Sequence, residues 1–352
     1  MRLEFINRLE GNEVLGKNIL TNDGKILLRA GVSLNELYIK KLKDLGVFYV
    51  YVQDERLEDV EVEDEGLSEL KRVTMRSMSK IIKNVTTYSK IGMRETIGQI
   101  EDLVSYILQL EDVNKSLYEI KTYDNCTYLH SLDTCIMASF LGKACRLDIT
   151  KLKELGIAAM LHDIGKTSIE AKITNKLEPL TEEEEIEIRK HTIYGEEILR
   201  RNLKIPESAA KVALQHHERI DGKGYPFGLD GKAILMLTKI VSVCNAYDNL
   251  NNSKLYGKEI GPIESYEMII AGSGTRFDEN IVLEFRKTFA IYPLGCCVML
   301  SNGIEGYVIK QNKNYPDRPI LRVFYEAATR KPVPAYEIDL LIYPNVVIER
   351  II

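Results

Sequence analysis

All five histidines of this 352-residue chain, His130, His162, His191, His216 and His217, lie in one central stretch, and the sequence on either side has none. That stretch, roughly residues 100–290, is patterned for helices. In "YLHSLDTCIMASFLGKAC", Leu129, Leu132, Ile136, Phe140 and Ala144 recur at helical spacing. "TKLKELGIAAMLHDIGK", "TEEEEIEIRKHTIYGEEILRR", "PESAAKVALQHHER" and "ILMLTKIVSVCNAYDNL" follow, with Thr181 before an acidic run and Pro206 at a first turn as helix starts. Taken singly, a histidine in such a setting is an ordinary packed or solvated residue. Five of them, with acids beside them and spread over several helices, predict convergence on one centre.

The chemistry of the side chains explains the expectation. Imidazole nitrogen is the commonest protein ligand for transition metals, and carboxylates complete such sites. His162 and Asp163 are adjacent, so on a helix they would point about 100° apart and serve two sides of a metal cluster, with the aspartate bridging. Lys166 follows His162 by four residues, which predicts the same helix face and reach to a bound phosphate. His216 and His217 run into "ERIDGKGYPFG", where Gly222, Gly224 and Gly228 let backbone approach a ligand and Tyr225 with Pro226 offers a flat, stiff surface.

The flanks differ from the centre. Asn22-Asp23-Gly24 between apolar runs predicts a hairpin, and "NELYIKKLKDLGVFYVYV" a short helix, a stop at Gly46 and a strand. Residues 53–66 are strongly acidic and read as a solvated linker. After Pro293 short β-rich runs predominate. The expected fold is therefore mainly α. A small α+β domain spans 1–60, an acidic linker and connecting helix 61–99, an all-helical domain 100–290, and a small β-rich domain 291–352.

Composition narrows the function. A net charge of −5 argues against binding of nucleic acid polymers. No segment approaches the ~20 apolar residues a membrane helix needs, and the N-terminus lacks a signal peptide's apolar core. A cytoplasmic protein with no membrane partner is expected. The six cysteines contain no CxxC and read as reduced thiols.

Read in order, "HS" at His130-Ser131, "HDIGK" at 162–166, "KHTIYG" at 190–195 and "HHERIDGKGYP" at 216–226 resemble the HD-GYP family, a branch of the HD phosphohydrolases. "GSGTRFDENIV" at 272–282 is similar to the family's closing segment. The resemblance implies an all-helical catalytic core holding two, sometimes three, iron or manganese ions. It implies hydrolysis of cyclic di-GMP to linear pGpG or GMP by a hydroxide between the metals. Carried over residue by residue, one metal would be held by His130, His162, Asp163 and the residue at 245, the other by Asp163, His191, His216 and His217. Lys166 would contact the phosphate. Arg219, with Asp221, Gly222, Gly224, Tyr225 and Pro226, would shape the nucleotide pocket.

The chain departs from the family pattern in three places. "ADxYDA" is here "CNAYDN", which puts Asn245 where a metal-binding aspartate is expected, and Asp248 almost one turn further on. The basic "SDRPYR"-like segment is "NSKLYG" at 252–257, with Lys254 for the arginine and Gly257 for a basic residue. Cys126 stands where some relatives place a glutamate for a third metal, so two metals are expected. The alternative is a catalytically impaired protein acting as a cyclic di-GMP receptor or interaction module. Homodimerisation through the helices before His130, or a signalling partner, completes the expectations.

Overall fold

The helix that carries His130 is buried on every side. In a computed structural model of the chain this helix spans Thr127–Ala144, and residues 129–142 are all buried. A helix enclosed all round is the centre of its domain rather than a surface element. The structure describes the chain other than residues 22–24, 46, 63, 85–89, 111–114, 117–126, 175, 177, 202–204, 252–253, 256–257, 260–261, 327–328 and 330, and side chains other than those at 77–94, 96, 111–128 and 251–262.

The chain divides into two compact units. The helical unit covers Gly66–Glu111 and Asn125–Arg286. In chain order its helices are α2 (Glu65–Asn84), α3 (Lys90–Gln109), α4 (Thr127–Ala144), α5 (Ile149–Leu161), α6 (Ala171–Thr174), α7 (Glu182–Arg189), α8 (His191–Arg200), α9 (Glu207–Gln215), α10 (Met236–Asn251), α11 (Pro262–Ala271) and α12 (Glu279–Thr288). They follow α1 of the other unit, described below. Helix α4 packs against α3, α5 and α10, and α5 against α9. Leu132, Ile136, Phe140, Leu155, Val212, Ile240 and Phe285 lie within this core, each contributing about 1.5–3 kcal/mol by burial. Two glycines set the spacing. A Cβ on Gly142 would fall 2.5 Å from Leu155 Cδ2, and one on Gly156 2.5 Å from Val104 Cγ2.

The predicted helix starts are present. Thr181 caps α7, accepting from Glu184 N while the Glu184 carboxylate accepts from Thr181 N, a capping box. Pro206 stands at the N-cap of α9, one position earlier than the first turn. Of the altered basic segment, Lys254–Leu255 forms a two-residue strand paired antiparallel with Lys258–Glu259. The Lys254 side chain and Gly257 lie outside the described residues.

The second unit joins both ends of the sequence. Strand β1 (Arg2–Phe5) pairs antiparallel with β4 (Tyr49–Val52), and β2 (Ile19–Leu20) pairs with β3 (Ile26–Leu28) in the expected hairpin, whose turn residues lie outside the described ones. Helix α1 (Glu36–Asp44) begins at Asn35, whose side chain accepts from Tyr38 N; Gly46, the expected stop, lies outside the described residues. Beyond Lys287, an antiparallel sheet of five strands comprises Cys297–Leu300, Glu305–Asn312, Tyr315–Tyr325, Pro332–Asp339 and Ile348–Ile351. The Pro332–Asp339 and Ile348–Ile351 strands form its two edges.

These pieces were expected as two flanking domains, but they share one core. Leu3, Tyr49, Tyr51, Leu57, Val60 and Val62 pack with Cys296, Val298, Leu300, Val308, Leu321 and Leu340. Leu3 N donates to Gly295 O at 2.9 Å, and Tyr51 Oη to Leu294 O at 3.3 Å. The acidic stretch after residue 53 is likewise more than a solvated linker. Glu55, Glu58, Asp59 and Glu61 are exposed while Leu57, Val60 and Val62 are buried, and Arg322 grips Asp59 through both guanidinium nitrogens at 2.7 Å.

Candidate metal centre

The histidines arrive from the ends and the middle of separate helices. His162 ends α5, His191 opens α8, His216 ends α9 with His217 beside it, and His130 lies inside α4. Placement at helix ends explains their orientation. His162 Nδ1 lies 2.7 Å from Ala159 O, His191 Nδ1 2.6 Å from Ile188 O, and His216 Nδ1 2.9 Å from Ala213 O. A carbonyl oxygen only accepts, so each Nδ1 carries the proton and each Nε2 presents a lone pair inward.

The Nε2 atoms of these three rings and of His130 surround one carboxylate. Asp163 Oδ1 lies 3.4 Å from His191 Nε2 and 3.6 Å from His216 Nε2. Its Oδ2 lies 3.4 Å from His162 Nε2 and 3.7 Å from His130 Nε2. The donors therefore form two groups that share Asp163. Asp163, His191, His216 and His217 make one, and His130, His162 and Asp163 the other.

The donor set fits metal ions on three counts. His162 Nε2 and Asp163 Oδ1 are buried without a hydrogen-bond partner, an arrangement that costs folding energy unless something charged completes it. His191 Nε2 and His216 Nε2 are 3.3 Å apart, close to the ~3.4 Å separation of two nitrogens bound at ~2.1 Å in a tetrahedral site. The protonation states also agree. Burial lowers the pKa of His191, takes His216 down to about 3 and, with His216 and His191 adding to it, holds His217 well below the ordinary imidazole value. Burial alone would raise Asp163, but Lys166 and the surrounding imidazoles hold it far below the usual carboxylate range. Neutral imidazoles at His191, His216 and His217 beside an ionised carboxylate are the states that ligate cations.

Lys166 takes a different route to this centre from the expected helix face. Helix α5 stops at Leu161, and Ile164–Ser168 is a 3₁₀ turn in which Lys166 N bonds Asp163 O at 3.0 Å. A 3₁₀ turn stacks residues three apart, so Lys166 Nζ meets Asp163 Oδ2 at 2.6 Å. Gly165 permits the turn, since a Cβ there would lie 1.9 Å from His191 O.

Asn245 is drawn in as well, as a partner of a histidine. Its Oδ1 lies 2.9 Å from His130 Nε2 and accepts from Asn249 Nδ2 at 2.7 Å, while His130 Nδ1 lies 2.6 Å from Asp248 Oδ2. Burial would lower the His130 pKa, but the Asp248 carboxylate outweighs it and raises it.

The glycine-rich loop forms one wall of the centre. Gly222 adopts φ +73°, which glycine takes without strain, and Gly224 passes so close to the chain that a Cβ would lie 2.4 Å from Arg219 N. Tyr225 stacks on His217 with centroids 4.6 Å apart and planes 18° apart, and Pro226 follows it. Arg219 and Asp221, expected to line a nucleotide pocket, bond to each other at 3.0 and 2.6 Å. Sequence reasoning passed over Glu218. It is buried, and its two carboxylate oxygens accept from Phe227 N at 2.8 Å and Leu229 N at 2.9 Å, bracing the loop. An acid placed directly between two histidines and a glycine loop was the available signal. Arg189 was also passed over; its guanidinium lies 5.1 Å from the Tyr225 ring centroid.

Comparison with known proteins agrees with this architecture. Residues 120–281 match the HD domain family, and residues 297–352 match the KOW domain associated with HD domain. The chain is 33% identical over 241 residues to the cyclic di-GMP phosphodiesterase PA4108 of Pseudomonas aeruginosa, covering 68% of this chain and 58% of that protein. It is 38% identical over 194 residues to a cyclic di-GMP phosphodiesterase of Thermotoga maritima, covering 55% and 51%. The chain thus spans little more than half the length of these curated relatives. Among solved structures, Bd1817, an HDG"Y"P protein from Bdellovibrio bacteriovorus, aligns with a TM-score of 0.54 at 18% identity over 80% of this chain and 97% of that one, which shows a shared fold. With the ordered HD and GYP motifs standing on that fold, the chain belongs to the HD-GYP family of HD-domain proteins.

Proposed function

We propose that this chain is a metal-dependent phosphodiesterase that hydrolyses cyclic di-GMP to linear pGpG, GMP or both. The observation that carries the reading is Asp163, whose two oxygens face two separate sets of imidazole Nε2 atoms. In this reading His191, His216, His217 and Asp163 hold one divalent ion, and His130, His162 and Asp163 hold a second, iron or manganese in each case. When bound, such ions supply Lewis acidity at a phosphoryl oxygen and lower the pKa of water.

The chain's own residues supply the rest. The backbone carbonyls at 159, 188 and 213 hold the imidazoles in the ligating tautomer. Lys166 donates one N–H to Asp163 and keeps two more for a phosphate oxygen. Tyr225, fixed by its stack on His217, gives a nucleobase a flat wall. Water adds to phosphorus, the P–O3′ bond breaks and the departing 3′ oxygen takes a proton; a second such cleavage yields GMP. The substrate is a free dinucleotide rather than a nucleic acid polymer, and the protein acts in the cytoplasm, alone or as a dimer. Among the described residues no helix is long and apolar enough to cross a membrane.

The test is incubation of anaerobically metal-loaded protein with cyclic di-GMP. Linear product is expected, and none with iron, manganese or nickel overturns the reading. Asn245 favours a second reading, in which the chain binds cyclic di-GMP without cleaving it. Its amide oxygen is already engaged by His130 and Asn249, so it adds no charge to the second group of ligands. Binding without turnover in the same incubation would select that reading.

A further inference from the structure

A cyclic dinucleotide carries two phosphodiester anions. If the reading above holds, one of them lies at the histidine–aspartate centre and the other needs positive charge elsewhere. Three of the cations around the loop are already matched. Asp221 grips Arg219 through two bonds, and Asp163 bonds Lys166 at 2.6 Å. Arg189 has Glu185 at 3.5 Å.

Arg276 differs. Among the described residues no carboxylate forms an ion pair with it. It remains open to solvent, yet its loop is built against the GYP loop. Asp221 N donates to Thr275 O at 3.1 Å, and Arg276 N and Phe277 N both donate to Gly272 O, at 2.9 and 3.0 Å. The Arg276 guanidinium rests on the neighbouring Phe277 ring, 5.3 Å from its centroid, and Phe277 is itself buried. Partial desolvation and repulsion from Arg219 lower its pKa, and both Arg276 and Arg189 act electrostatically on Tyr225. An unmatched guanidinium held beside a ligand-binding loop is set up for an anion, and its planar fork suits a phosphate.

We propose that Arg276, assisted by Arg189 across the Tyr225 ring, binds the second phosphate of the cyclic dinucleotide, the one that is not cleaved. This rests on the cyclic di-GMP reading and assigns to the 272–277 loop the charge that "NSKLYG" lacks at 252–257. The residue is a specificity determinant, since a phosphodiester with a single phosphate has nothing to place there.

The experiment compares wild type, Arg276→Ala and Arg276→Lys as metal-loaded full-length proteins on cyclic di-GMP and on bis(p-nitrophenyl) phosphate, which has one phosphate. Arg276→Ala is expected to raise KM for cyclic di-GMP about 10–100-fold, the effect of losing a charge-assisted contact, with a much smaller change in kcat. The loss in kcat/KM should be at least tenfold greater on cyclic di-GMP than on bis(p-nitrophenyl) phosphate, and Arg276→Lys should recover part of it. If the wild type binds without turnover, Kd from calorimetry replaces KM. Cleavage or binding of cyclic di-GMP by Arg276→Ala within twofold of wild type overturns the second-phosphate site alone. Equal losses on both substrates overturn it too. Wild type that cleaves bis(p-nitrophenyl) phosphate but neither binds nor cleaves cyclic di-GMP overturns the substrate reading and the site with it. Matching thermal melts of the three proteins confirm that folding is not the cause.

Discussion

His130 is held at both ring nitrogens, by the Asp248 carboxylate at 2.6 Å and the Asn245 amide oxygen at 2.9 Å. A metal ion that uses His130 Nε2 must displace the Asn245 contact and gains only a neutral oxygen in return. Asn245→Asp places an anionic oxygen at the same point. It is expected to raise affinity at the His130–His162–Asp163 group about 10–100-fold. Elemental analysis after anaerobic dialysis against a chelator checks this; unchanged metal content per chain rejects it.

Glu218 braces the GYP loop through two backbone N–H groups. Glu218→Ala leaves both donors without their acceptor, at roughly 2–4 kcal/mol. The variant should melt earlier and show a raised KM for cyclic di-GMP, because the Tyr225 wall loses its support. An unaltered melting temperature would show that the loop is held by other means.

Gly165 permits the turn that brings Lys166 to Asp163. Gly165→Ala puts a methyl group 1.9 Å from His191 O, and overpacking of this kind costs about 1–3 kcal/mol or more. Since the obstacle is backbone, the turn or α8 must shift. Both stability and metal content should fall together, which calorimetry and elemental analysis of one sample can register.

The unit formed by the two ends of the chain should respond to acid. A hydrogen bond from Arg322 takes the Asp59 pKa down to about 2. Burial would raise Asp54, but Arg56 overrides it and the pKa falls below the ordinary carboxylate value. Both folded values lie below the unfolded value of about 3.9. The stabilisation is therefore present above pH ~4 and is lost as the pH falls toward 2. Asp59→Asn should melt below wild type at pH 6, with the difference closing by about pH 2. A constant difference across that range would count against the Arg322 pairing.

The candidate metal centre, a cluster of histidines around Asp163, was largely legible because it is made of rare residues. Histidine is scarce in this chain and confined to one region, and the acids beside it named the chemistry. Thr181 was legible for a similar reason, since a capping box is a local pattern. The 3₁₀ turn at Ile164–Ser168 was not, because it depends on Gly165 meeting the backbone of His191, a tertiary contact. In 53–66 the density of acids concealed Leu57, Val60 and Val62. The pairing of Arg219 with Asp221 turned two expected ligand-binding residues into partners of each other, and only coordinates show which of two nearby charges is already satisfied. The common core of the terminal segments was least legible of all. Tyr51 reaches Leu294 across 243 positions, and no periodicity reports such a distance.

That shared core also sets a timetable for synthesis on the ribosome. Ile6, Leu15, Leu34, Leu42 and Val52 close a cluster of their own within the first segment. Leu3, Tyr49, Tyr51, Leu57, Val60 and Val62 must wait for strands translated after residue 287. The helical unit is complete in the nascent chain before those strands emerge, so an interrupted translation product would display six stranded apolar and aromatic side chains to the chaperones and proteases that patrol for them.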